Sequence, residues 1–230
     1  MIFDPFYMII AGVLSVLGFV VQQKLQSKFG KYSQIPLRSG MSGAEVAEAM
    51  LRYYNITDVK VVPGQGYLTD HYNPMTKTVS LSEPVYHERS IAAAAVAAHE
   101  CGHAVQHAEA YAMLQVRSAI VPVVQISSSL QQFILIAAFV TINTMPQIML
   151  AAIVVFAVTA LFSVVTLPVE FDASRRALVW LENSRTTQGA EYDGAKDALK
   201  WAAMTYVSAA LSALVMLAYL ILRYMGARRD

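Results

Sequence analysis

A chain of 230 residues is long enough for one ordinary domain and little more. Hydrophobic residues make up 56% of it and charged residues 14%, which excludes an ordinary soluble domain and fits a membrane protein. The net charge of +1 comes without a basic block, so nothing recommends a nucleic acid partner, and the single cysteine excludes an internal disulfide.

Pro5–Val21, PFYMIIAGVLSVLGFVV, is the first of four apolar stretches. It lacks a basic leader and a small-residue cleavage site, so residues 1–22 read as a transmembrane anchor and not as a signal peptide. Residues 23–119 then have the pattern of a small α+β unit. Ser42 and Glu45 have capping-box spacing ahead of Val46, Met50 and Tyr53, which predicts a short helix stopping near Asn55. DVKVV, YLTDHY and KTVSLS, separated by the turn signals PGQG and NPMT, predict two or three short strands just before an alanine-rich helix. His87 is expected at the start of a surface helix.

Ile120–Ile142 and Gln147–Val169 form a hairpin of spans over residues 120–169, joined by the uncharged NTMP. The polar SSSLQQ at Ser127–Gln132 leaves two readings of the second span: side chains facing other helices, or an amphipathic helix that only dips into the membrane. Residues 170–200 are expected as a polar helix opened by Pro168, and residues 201–230 as the last span, Trp201–Leu222, with its tail. Each apolar stretch is near the ~20 residues a helix needs to cross hydrocarbon. Gln22–Ala119 holds nine Lys and Arg and Pro168–Lys200 holds five, against none in MIFDPFY or in the loop between the second and third spans. The positive-inside bias therefore places both polar segments in the cytoplasm of a cell-membrane protein, although the basic tail RYMGARRD falls outside on this count. Two crossings separate the polar segments, so they share a side whichever way the chain faces.

Ser90–Tyr111, SIAAAAVAAHECGHAVQHAEAY, carries the chemistry. His99-Glu100-Cys101-Gly102-His103 is an HExxH motif. Positions four apart on a helix lie ~40° apart around its axis, so the two imidazoles can converge on one zinc ion. Glu100, offset by ~100°, can reach a water on that ion and serve as its general base. Cys101 lies ~200° around from His99 and is expected as a buried small residue facing away. Histidines and carboxylates in an otherwise apolar helix are costly unless they are paired or liganded.

A zinc peptidase site needs a third protein ligand. His107 sits eight residues from His99, a rise of ~12 Å, too far for one helix to bring three imidazoles to one ion. Glu109 stands where the pattern HExxHxxGxxH has its last histidine, and Gln106 stands where that pattern requires glycine. Glu170 and Asp172, in LPVEFDASRRALVWLEN, are the remaining candidates. The helix face of Glu170 continues through Ala173, Ser174, Ala177 and Leu181, a small-residue stripe suited to packing on the alanine-rich helix. The face of Asp172 continues through Arg175, Arg176 and Val179, the pattern of an ion-paired surface. Glu170 is therefore the better ligand.

LTDHYNP, LSEPVYHERSIAAAAVAAHECGHAVQH and LPVEFDASRRAL, in this order among four apolar spans, resemble the YugP-type membrane zinc metallopeptidases of bacteria. The likeness runs along nearly the whole chain. More distantly the chain is similar to the gluzincin membrane proteases, the prenyl-protein (CAAX) endopeptidase and the heat-shock membrane protease. Those follow HExxH with a Glu in an E-x-x-A-D context; EFDAS matches at Glu170 and Ala173, while Ser174 replaces the Asp.

The expected architecture is a mainly α, polytopic membrane protein of about four transmembrane helices with a small zincin-like α+β catalytic unit. Its expected function is zinc-dependent hydrolysis of peptide bonds in membrane or membrane-proximal proteins. His99, His103 and Glu170 would hold one zinc ion and Glu100 would activate water. His71 and Tyr72 are candidates for substrate binding beside an edge strand, and His107 and Ser174 for supporting the ligands. Expected partners are a protein or peptide substrate and the lipid bilayer; a homo-oligomer or a partner membrane protein is compatible with this composition. Two rivals compete. A catalytically inactive membrane scaffold retaining a structural zinc would have no use for Glu100, and a metal transporter would need polar ligands inside spans that offer almost none.

Overall fold

The computed structural model describes residues 4–66 and 68–227. In chain order the elements are α1 (Pro5–Ser33), α2 (Gly43–Tyr53), β1 (Lys60–Gly64), β2 (His71–Asn73), β3 (Thr78–Ser82), α3 (Glu83–His87), α4 (Ile91–Ala108), α5 (Ala112–Thr141), α6 (Gln147–Asn183) and α7 (Ala190–Ala227). The protein is mostly helical, and α1, α5, α6 and α7 are long and apolar enough to cross a membrane. The chain divides into two units. One takes in residues up to Val21, Val116–Leu167 and residues from Thr205; the other takes in Gln22–Gln115 and Pro168–Met204.

The span unit has a small core of Ala138, Ile142, Met149, Ala152, Phe156 and Leu220. Many of its large apolar side chains, Phe6, Ile9, Phe19 and Phe133 among them, stand exposed, as hydrocarbon permits and water does not. The polar groups of the second apolar stretch are accommodated within this unit: Ser127 is buried, and Gln131 accepts a hydrogen bond from Thr159 of α6 at 3.2 Å. Asp4, at the start of α1, accepts from Tyr219 (2.7 Å) and pairs with Arg223 (2.8 Å), both on α7.

The second unit is built around α4. Ser42 and Glu45 form the expected capping box on α2: Ser42 N–H donates to Glu45 Oε2 at 2.7 Å, and Glu45 N–H to Ser42 Oγ at 3.3 Å. Val46, Ala47 and Met50 are fully buried as α2 packs against α4, and the helix gives way at Asn55, whose φ is 55°. The three strands form one sheet in the order β1-β3-β2. β1 runs parallel to β3 (Lys60 opposite Thr78), and β2 runs antiparallel to it (Tyr72 opposite Val79), which leaves β2 as an edge. Helix α4 begins at Ser90, whose Oγ accepts from Ala93 N–H at 3.1 Å. Its first turns are alanines buried on every side, because a methyl side chain lets α2, α3 and the sheet pack close to its axis.

Three expectations are corrected here. Pro168 does not open a new helix; α6 runs through it, and residues 170–183 continue the helix that carries the third apolar stretch. Proline removes one ladder hydrogen bond, a loss that a long apolar helix can absorb. Residues 190–200 likewise belong to α7, which begins eleven residues before Trp201. His87 ends a helix instead of starting one: it closes the five-residue α3, which the strand pattern before it masked, and pairs with Glu83 at 3.2 Å.

Candidate metal centre

HECGH lies on α4 and Glu170 on α6, and packing between these helices brings them together. Gly102, between Glu100 and His103, sets how close they come. A Cβ at Gly102 would stand 2.6 Å from the Ala173 carbonyl oxygen and 3.1 Å from its carbon, so only glycine admits the α6 backbone at this depth. Opposite it, Ala173, Ala177 and Leu181 are fully buried and Ser174 nearly so, the small-residue stripe read from the sequence. Cys101, on the other side of α4, is fully buried with its Sγ 3.5 Å from the Ala47 carbonyl, and burial pushes its thiol well above the ordinary range.

This approach places His99, His103 and Glu170 side by side. One donor atom from each lies within 4.8 Å of the others. Nε2 of His99 is 3.3 Å from Glu170 Oε2, and Nε2 of His103 is 3.6 Å from the same oxygen. Ligands held at ~2.0–2.1 Å in a tetrahedral site stand roughly 3.3 Å apart, so these separations suit zinc. Two imidazoles and one carboxylate are also a donor set that zinc takes in catalytic sites. The rings of His99 and His103 are nearly perpendicular, 4.8 Å between centroids. Burial disfavours the charged form of His103, but the hydrogen bond and charge of Glu170 outweigh it and hold this imidazole above its usual pKa. Proton and metal therefore compete for the same nitrogen.

Glu100 is buried on α4 beside the triad's His99. Ser174 Oγ lies 3.1 Å from His99 Nδ1. The other candidates are placed differently. His107 is exposed at the end of α4, and its Nδ1 meets the Tyr72 hydroxyl at 2.7 Å, tying the edge strand β2 to α4. His71 is also exposed and its Nδ1 lies 2.8 Å from the Thr69 carbonyl, within its own loop. Glu109 pairs with Arg176 at 2.6 Å, and Asp172 is half-buried and bonded to Arg175 and Arg176.

In the sequence Gln106 stands out only as a mismatch to a glycine pattern. In the structure it is fully buried and touches His103, Val169 and Asp172. Its position three residues after His103, on the same helix face, is the signal that could have found it.

Comparison with known proteins agrees with this geometry. Residues 7–225 match the family model described as "Putative neutral zinc metallopeptidase". The chain is 40% identical over 214 residues to the Bacillus subtilis (strain 168) protein named "Putative membrane protease YugP", an alignment covering 93% of this chain and 94% of that one. No solved structure matches. With four membrane-length helices and a zinc-compatible triad, the chain belongs to this family of neutral zinc metallopeptidases.

Proposed function

We propose that this protein is a membrane-embedded zinc metalloendopeptidase that binds one zinc ion through His99, His103 and Glu170. The observation that carries the reading is the convergence of these three donors from α4 and α6, with Glu100 one residue from His99. A zinc ion held there would supply Lewis acidity to a scissile carbonyl and to an attacking water. Glu100 would accept the proton of that water and deliver it to the leaving amine, so that a C–O bond to the water oxygen replaces the broken C–N bond and a carboxylate and an amine result. Ser174 steadies the ring of His99. His71 and Tyr72 flank an extended substrate added along the edge of β2, with His107 holding the Tyr72 hydroxyl in place.

Glu170 follows directly on the apolar stretch of α6, which points to substrates that are membrane proteins or membrane-proximal tails. The Lys and Arg count of the segments around it favours a site on the cytoplasmic side of the cell membrane.

The test uses the full chain in detergent or lipid nanodiscs, with zinc content measured alongside cleavage of a mixed membrane-protein substrate. Wild type should carry one zinc and cleave; Glu100→Gln should carry the zinc and not cleave. Full cleavage by Glu100→Gln defeats the mechanism. Zinc without cleavage in the wild type favours the scaffold with a structural zinc instead.

A further inference from the structure

The side-chain amide of Gln106 is fully buried between the two ligand-bearing helices. Its Nε2 lies 2.8 Å from the Val169 carbonyl oxygen and 2.9 Å from Asp172 Oδ2. Both partners can only accept, so the nitrogen belongs there and Oε1 is left facing His103 Nδ1, 3.0 Å away. An oxygen acceptor at that distance requires the imidazole proton on Nδ1. With Nδ1 carrying its own proton, Nε2 is the nitrogen left to face Glu170 Oε2, 3.6 Å away, where it can take a second proton or a metal ion. Asp172 is itself bonded by Arg175 and Arg176, and Arg176 by Glu109, so the amide is anchored through a chain of charged contacts. His99 has no such fixed partner, because the Ser174 hydroxyl can donate or accept.

We propose that Gln106 is a positioning residue of the metal centre with two roles. Its oxygen sets the tautomer and ring orientation of His103. Its nitrogen grips α6 on both sides of Glu170, at Val169 and Asp172, and so holds the carboxylate ligand in register with the imidazoles. A neutral amide does this without adding a further negative charge to those of Glu170, Glu100 and Asp172. The inference rests on the zinc reading above.

Two variants separate the roles. Gln106→Met keeps the volume and removes every hydrogen bond; Gln106→Glu keeps an acceptor for Nδ1–H and removes both donors. Zinc affinity is measured by chelator competition, the ligand field by cobalt(II) absorption, and the tautomer by the ring 15N shifts of His103 in metal-free protein at alkaline pH. Gln106→Met should weaken zinc by about 10- to 100-fold, alter the cobalt spectrum and move His103 away from the pure Nδ1–H tautomer. Gln106→Glu should retain the Nδ1–H tautomer and lose less affinity, and it carries the test if the Met variant does not fold. Ser174→Ala should leave the His103 signals where they are. Unchanged zinc affinity or unchanged His103 shifts in Gln106→Met overturn this inference alone, as does a Gln106→Glu protein that loses the Nδ1–H tautomer. A wild type with no zinc affinity overturns the zinc reading and this inference with it.

Discussion

In the span unit Phe19 and Phe133 stand 65% and 72% exposed, whereas in the unit that carries the triad Ala92, Ala94, Ala95, Ala97 and Ala98 are fully buried. Both surfaces belong to apolar helices, yet the large side chains face outward and the smallest face inward. The difference teaches what each helix packs against. A span facing lipid gains nothing by turning large residues inward, because the bilayer is as apolar as a core. A helix that must bring His99 and His103 within reach of a carboxylate on another helix needs short side chains and, at Gly102, none.

The contrast can be broken most severely at the proposed ligands. Glu170→Ala should abolish stoichiometric zinc in the purified protein, measured by elemental analysis, and cleavage with it. Retained zinc would remove α6 from the site. Glu100→Gln should cut the cleavage rate by about 100- to 10,000-fold at unchanged zinc content, the span of a positioned acid–base group.

Gly102→Ala tests the packing argument directly. Its methyl group meets backbone and not a movable side chain, so thermal unfolding should show a loss of about 1–3 kcal/mol, with weaker zinc binding. A neutral Gly102→Ala would mean that the helices do not depend on this approach. Cys101 should react with alkylating reagents only after unfolding, because it is fully buried and its raised pKa keeps it a thiol through the ordinary pH range; thiol titration with and without denaturant checks this. The smallest effect belongs to the span unit: Phe133→Ala should change stability in lipid by no more than ~0.5 kcal/mol, the range for exposed positions.

What the residues disclosed in advance follows from range. The capping box at Ser42 and Glu45 and the His99–His103 pair are contacts made within a few residues, and local spacing is enough to read them; the strands were legible in number and order but not in extent, since β1 runs through Pro63 and Gly64 of PGQG and β2 is only His71–Asn73. Glu170 is 67 positions beyond His103, yet it was readable because Ala173, Ala177 and Leu181 mark the face a close-packed helix must present. Pro168 misled because its usual place at a helix start says nothing of the apolar residues before it, which keep α6 continuous. The Tyr72–His107 contact depends on where β2 ends relative to α4, and no pattern in either segment encodes it. Gln106 was half visible. Its spacing from His103 is local, but its other partners lie 63 and 66 residues away and arrive only with α6.

The burial of Cys101 has a practical consequence for a four-span protein. The only thiol in the chain is shut inside α4's contact with α2, so the wild type is already a silent background for site-specific labelling. A cysteine introduced at exposed Lys24, at Thr144 in the turn between α5 and α6, or at exposed Arg185 would report alone, with no native cysteine to delete. Membrane-impermeant reagents applied to intact cells and to inverted vesicles would then map each segment to its side. Lys24 and Arg185 should label together and Thr144 from the opposite face.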